Sequence, residues 1–169
     1  TNQGVCVTVM SNQALEDYLE KAKIKTYRCD VGDKNVLECL YREKIAFGGE
    51  QSGHIILSDF AKTGDALVAA LAVMNCVLTE KQKVSKLFNA FELYPQLLHN
   101  MKIDNKIPLS ELKGYPQLVE ACEAKKIRVL IRYSGTENLL RILLEGQDEK
   151  ELEECMEKAV KFFKSALNE

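Results

Sequence analysis

The chain has no excess of charge of either sign: 23 Lys and Arg stand against 25 Asp and Glu, a formal net charge of −2 over 169 residues. A general attraction to nucleic acid or to an anionic membrane is thereby excluded as the basis of function, and any affinity for an anion has to be local. A long apolar run is also missing. The strongest one, residues 66–78, has Asn75 inside it and is too short to cross a bilayer, so no membrane span or signal peptide is expected and the run reads as a buried helix. Six cysteines are present (Cys6, Cys29, Cys39, Cys76, Cys122 and Cys155), but no Cys-x-x-Cys pair. They read as reduced, mostly core residues of a cytoplasmic protein rather than as a disulfide framework or a metal centre. Internal repeats and low-complexity segments are absent, and a 46% hydrophobic fraction suffices for a sizeable core.

What the chain does have is a polar loop between two apolar strands. Arg132-Tyr133-Ser134-Gly135-Thr136-Glu137-Asn138 follows Val129-Leu130-Ile131 and precedes the run 139–144, which contains Arg141. The pattern predicts a hairpin whose tip carries the hydroxyls of Ser134 and Thr136, with Gly135 allowing close backbone approach and the N–H groups forming a concavity for an anion. Arg132 and Arg141 stand at the feet of this loop, and guanidinium groups match phosphate oxygens bidentately. The alternative is an ordinary turn with both arginines on a solvated face, since turns favour Ser and Gly without any ligand.

A second loop, Gly48-Gly49-Glu50-Gln51-Ser52-Gly53-His54, lies between Ile45-Ala46-Phe47 and Ile55-Ile56-Leu57. A carboxylate and a hydroxyl held close together suit the vicinal hydroxyls of a sugar. Here too a glycine turn with Glu50 at its tip is the plainer alternative, and the place of His54 beside an apolar strand favours packing over catalysis. His99 has weaker claims.

Strands and helices alternate in the first half, as far as a helix proposed to start from a Thr79–Gln82 capping box and to carry Val84, Leu87, Phe88 and Phe91. The pattern changes near Leu93-Tyr94-Pro95. The expectation is an α/β domain over residues 1–92, with a mainly parallel sheet and flanking helices. A smaller α+β domain follows over 93–169, with an antiparallel sheet and helices on one face. Ligand loops belong at the C-terminal ends of the parallel strands, where residues 48–54 would lie.

Val9-Met10-Ser11-Asn12, Val31-Gly32-Asp33-Lys34, residues 48–54 and residues 132–141 occur in an order that resembles the bacterial phosphoglucosamine mutases of the α-D-phosphohexomutase superfamily. The resemblance runs through nearly the whole chain and matches the last two of the family's four domains. It implies the recognition half of an enzyme that interconverts glucosamine 6-phosphate and glucosamine 1-phosphate for cell-wall precursor synthesis. In such enzymes a phosphoserine and a glucosamine 1,6-bisphosphate intermediate carry the phosphoryl group, and Mg2+ is held by an Asp-rich loop. Neither a serine loop nor an Asp-x-Asp-x-Asp cluster is found in this sequence, so the chain alone is expected to be inactive and to work with N-terminal domains of the same protein.

By the same resemblance, Glu50, Gln51, Ser52 and His54 belong to the sugar loop, and Gln51 tilts the comparison toward phosphoglucosamine mutases. Arg132, Ser134, Gly135, Thr136 and Arg141 match the phosphate loop, while Asp33 and Lys34 fall in a loop near the reacting oxygen. Many relatives carry Pro at the positions of Tyr133 and Asn138, so the loop is expected to keep its binding residues but to be more mobile here. Two alternatives stay open: the same half of a phosphomannomutase/phosphoglucomutase, or a phosphosugar-binding module without catalysis.

Overall fold

Two β-forming stretches separated by helical sequence give two separate sheets, and the computed structural model, which describes residues 4–167, divides into units Thr1–Leu93 and Tyr94–Glu169. The outermost positions of the two expected domains, 1–3 and 168–169, lie outside the described residues.

The first unit runs β1 (Gly4–Thr8), α1 (Gln13–Lys21), β2 (Lys25–Cys29), α2 (Asp33–Glu43), β3 (Phe47–Gly49), β4 (Ile55–Leu57), α3 (Ala66–Glu80) and α4 (Val84–Leu87). Its sheet has the order β2-β1-β3-β4, with β1 parallel to both neighbours and only β4 antiparallel, as the alternating pattern predicts. Asn12 caps α1 by accepting the Ala14 N–H at 3.0 Å, and α2 buries Val36, Cys39 and Leu40 against Cys6, Ile45 and Ile56. Gly48 is required where α2 meets the sheet, because a Cβ there would stand 2.8 Å from Val36 and 2.9 Å from the Cys6 carbonyl.

Two expectations fail in this unit. The apolar run does form a helix, α3, capped by Asp65, but none of its residues is buried; Leu67 and Leu78 are 70% and 76% exposed. A helix apolar on every side has no period that picks out a packed face, so composition alone pointed to burial. The Thr79–Gln82 capping box is not formed either: Thr79 stays inside α3, and α4 begins after Lys83 with no side-chain cap.

The second unit contains β5 (Gln96–Lys102), a 3-10 turn (Leu109–Glu111), α5 (Tyr115–Glu123), β6 (Arg128–Tyr133), β7 (Leu139–Glu145) and α6 (Glu149–Leu167). The strands pair antiparallel in the order β5-β7-β6. Alternation along β7 sends Leu140, Ile142 and Leu144 into a core with Leu152, Cys155, Ala159 and Phe163 of α6. Asp148 accepts the Glu151 N–H at 3.0 Å and so starts α6. Arg141, Leu143 and Glu145 point to the opposite face of the sheet. Buried Glu145 there accepts from Gln96 of β5 and lies 3.7 Å from Arg128 of β6, joining all three strands at the end away from the hairpin tip.

Candidate functional site

In the first unit, the C-terminal ends of β1, β2 and β3 all lead into polar loops along one sheet edge, the edge at which α/β sheets bind ligands. The β3–β4 hairpin closes through Glu50 N–H to the His54 carbonyl at 2.9 Å, with Gly53 at φ +99 completing the turn. Its central group is Glu50, whose side chain is only 6% exposed. One carboxylate oxygen accepts the Gly32 N–H at 2.6 Å, and the other accepts the Ser52 hydroxyl at 2.9 Å. His54 Nδ1 lies 3.4 Å from Ser52 Oγ and 3.7 Å from Glu50. The histidine is thus exposed at the loop tip rather than packed against β4, which corrects the expectation drawn from its apolar neighbours.

Glu50, Ser52 and His54 are therefore brought together, and Glu50 ties them to the loop before α2. Gln51 is anchored as well, its amide oxygen accepting from the buried Thr8 hydroxyl at 3.2 Å. Asp33 accepts the Lys34 N–H at 2.8 Å at the start of α2. Lys34 instead extends along the helix to Glu38 at 3.7 Å and is highly exposed, so the structure does not gather it with the other loop residues.

In the second unit, the expected hairpin forms between β6 and β7. Arg132 and Arg141 are cross-strand partners, and Asn100 of β5 continues the same rung. Like charges directly opposite on a sheet repel unless an anion sits between or beside them. Arg141 lies 3.5 Å from Glu137 through Nη2, while its Nε is buried without a hydrogen-bond partner. Arg132 is exposed and has no ion-pair partner among the described residues.

The remaining loop residues divide. Gly135 and Thr136 are exposed, and a Cβ at Gly135 would meet nothing within 4 Å, so no contact within the chain demands glycine there. Ser134 is only 4% exposed, and its N–H donates to the Leu139 carbonyl at 2.8 Å. That N–H closes the hairpin and is not part of an open anion concavity, in contrast to the sequence expectation.

Three contributors were not legible in the sequence. Thr8 locks Gln51, as described. Arg28 donates to Glu16 at 2.8 Å, to the carbonyls of Thr8 and Ser11 at 3.2 and 2.8 Å, and to Gln13 at 3.1 Å, fixing the turn between β1 and α1. Lys106 Nζ donates to the Ser134 carbonyl at 2.7 Å. Each depends on tertiary proximity across many residues, which leaves no local signal. Behind the first loop the Cys6 thiol donates to Cys29 at 3.7 Å. Burial pushes both thiols up, and all six cysteines are free.

Among the described residues no group of three His, Cys, Asp or Glu side chains is placed to hold a metal ion. No helix among them is long and apolar enough to cross a membrane.

Comparison with known proteins finds a family match for each unit. Residues 1–94 match the model for phosphoglucomutase/phosphomannomutase, alpha/beta/alpha domain III, and residues 73–162 match that for the C-terminal domain. The phosphoglucosamine mutase of Wolinella succinogenes is 56% identical over 160 residues, 95% of this chain and 36% of its own length. That of Aliarcobacter butzleri is 54% identical over 163 residues, covering 96% of this chain and 37% of the relative. The chain thus spans little more than a third of these curated relatives.

The same fold recurs in a solved structure of Aspergillus fumigatus N-acetylphosphoglucosamine mutase in complex with GlcNAc-6P and magnesium. That match has a TM-score of 0.76 at 18% identity and covers 96% of this chain and 39% of that one. An N-acetylglucosamine-phosphate mutase in its substrate complex matches with a TM-score of 0.70 at 22% identity, over 95% of this chain and 38% of that one. The matched domains place the chain in the phosphoglucomutase/phosphomannomutase family, of which it carries domain III and the C-terminal domain.

Proposed function

We propose that this chain is the substrate-recognition part of a phosphoglucosamine mutase that interconverts glucosamine 6-phosphate and glucosamine 1-phosphate. The observation that carries the reading is the Arg132–Arg141 cross-strand pair, two guanidinium groups opposed on adjacent strands with the Arg141 Nε buried and unpaired. A phosphate dianion relieves the repulsion and takes up the unused donors. Ser134, Gly135 and Thr136 complete the phosphate loop, with Gly135 open to ligand approach. Glu50, Ser52 and His54, with Gln51 held by Thr8, form the sugar loop.

Phosphoryl transfer depends on positioning and on stabilising charge, and a grip on the non-reacting end of the substrate supplies the positioning. The phosphoryl donor, the bisphosphate exchange and the magnesium belong to parts of the complete enzyme outside these residues. No step is assigned to Lys34, which turns to Glu38. The identities of 54% and 56% to phosphoglucosamine mutases favour the amino sugar over mannose or glucose phosphates.

The test is a chimera in which this chain replaces the corresponding third of the Wolinella succinogenes enzyme. Interconversion of the two glucosamine phosphates is expected, and Arg132→Ala in the chimera should raise KM. A folded chimera without that activity, or one that prefers mannose phosphates, contradicts the assignment.

A further inference from the structure

The hairpin tip of the second unit is held by a neighbouring segment, residues 103–107, at three points. The Ile103 N–H donates to the Asn138 carbonyl at 3.1 Å, the Tyr133 hydroxyl donates to the Ile107 carbonyl, and Lys106 Nζ donates to the Ser134 carbonyl at 2.7 Å. Ile107 and Tyr133 both pack on the buried core of the unit, so the strap is fixed to the interior as well as to the loop. Burial pushes the Tyr133 hydroxyl up, so it remains a donor at neutral pH.

Of these contacts, the one made by Lys106 is not needed to close the hairpin. Its side chain is exposed, and an exposed lysine gains little by giving up water for a single carbonyl. The ammonium has three donors and only one is used among the described residues. Its position on the Ser134 carbonyl sets a positive charge at the loop that already carries Arg132 and Arg141, with Glu137 the carboxylate Arg141 touches.

We infer that Lys106 is a third cation of the phosphate clamp, positioned by segment 103–107, which takes a phosphate oxygen of a phosphosugar while keeping its bond to Ser134. The inference rests on the reading of residues 132–141 as a phosphate loop. A compact ammonium complements two planar guanidinium groups, since it can serve an oxygen that neither flat fork faces. The side chain is then a binding residue, and Ile103, Ile107 and Tyr133 are positioning residues that act through it and through the loop backbone.

The experiment is an NMR titration of the 169-residue chain with glucosamine 6-phosphate, with inorganic phosphate and with unphosphorylated glucosamine. It is run on the wild type and on the Arg132→Met, Lys106→Met and Lys106→Arg variants. Lys106→Met is expected to weaken glucosamine 6-phosphate binding about tenfold with an unchanged melting temperature, and Lys106→Arg to stay within about threefold of wild type. A Lys106→Met variant within about twofold of wild type overturns the inference, as does a Lys106→Arg variant as weak as Lys106→Met, because charge is then not what acts. In either case loss of binding by Arg132→Met leaves the phosphate-loop reading standing. A wild-type chain that binds no phosphorylated probe better than glucosamine removes both.

Discussion

Arg132 and Arg141 face each other across two strands, and the energy of that arrangement depends on what lies in front of them. In the proposed phosphate complex each guanidinium would make charge-assisted hydrogen bonds; without an anion, the pair is a repulsive rung. Arg132→Ala is therefore expected to weaken phosphosugar binding by about 1.5–3 kcal/mol, measured by titration calorimetry, while leaving the unfolding midpoint unchanged or slightly raised. Unchanged affinity would assign Arg132 to a solvated face. Glu50 has the opposite character, because its carboxylate is nearly buried and bonded to Gly32 and Ser52. Glu50→Gln should cost about 1–3 kcal/mol of stability in urea unfolding, since an amide replaces a charged acceptor at the part-buried Gly32 N–H. That both segments are polar hairpin loops was readable from the sequence, because Gly and Ser between apolar runs mark turns whether or not a ligand is held. Their partners were not readable: Gly32 is 18 residues from Glu50, and Lys106 is 28 residues from Ser134.

At the scale of elements, the period of a helix was legible where one face was polar. The stripe of α6 is buried as its spacing predicts, with Phe163 fully enclosed. Phe163→Ala should destabilise the second unit by about 3–5 kcal/mol in thermal or urea unfolding. Helix α3 failed for the reason its composition suggests, being apolar all round and so giving no direction to its packing. Because Leu67 and Leu78 are exposed in the first unit, Leu67→Glu and Leu78→Glu should leave the unfolding midpoint within about 0.5 kcal/mol and lower the binding of a hydrophobic dye. A loss of several kcal/mol would show that the helix is packed after all.

Thiol burial gives a pH test at the same scale. Burial, with the Cys155 contact adding, pushes Cys122 from its ordinary 9.0 up to about 12. Below pH 9 both folded and unfolded thiols are protonated and stability is complete. Between 9 and about 12 the unfolded thiol ionises first, so the fold loses stability as pH rises through that window. Urea midpoints should therefore fall above pH 9, and Cys122→Ala should flatten the fall. An equal alkaline slope in that variant would assign the effect to other groups.

For the whole molecule, the division of labour follows from what each unit carries. One sheet edge holds a carboxylate, hydroxyl and imidazole cluster suited to a sugar, and the other unit holds paired guanidinium groups suited to a phosphate. The chain spans about 36–37% of the phosphoglucosamine mutases to which it is 54–56% identical, and recognition is the role proposed for its own residues. The most direct test is to titrate the isotopically labelled chain with glucosamine 6-phosphate and with glucosamine, following the backbone amides. The account predicts that the phosphorylated sugar shifts the amides of residues 132–141, that inorganic phosphate shifts the same set, and that glucosamine alone leaves them unmoved. If residues 132–141 do not respond to any phosphorylated probe, or respond equally to glucosamine, the loop is a structural hairpin and the central claim is wrong.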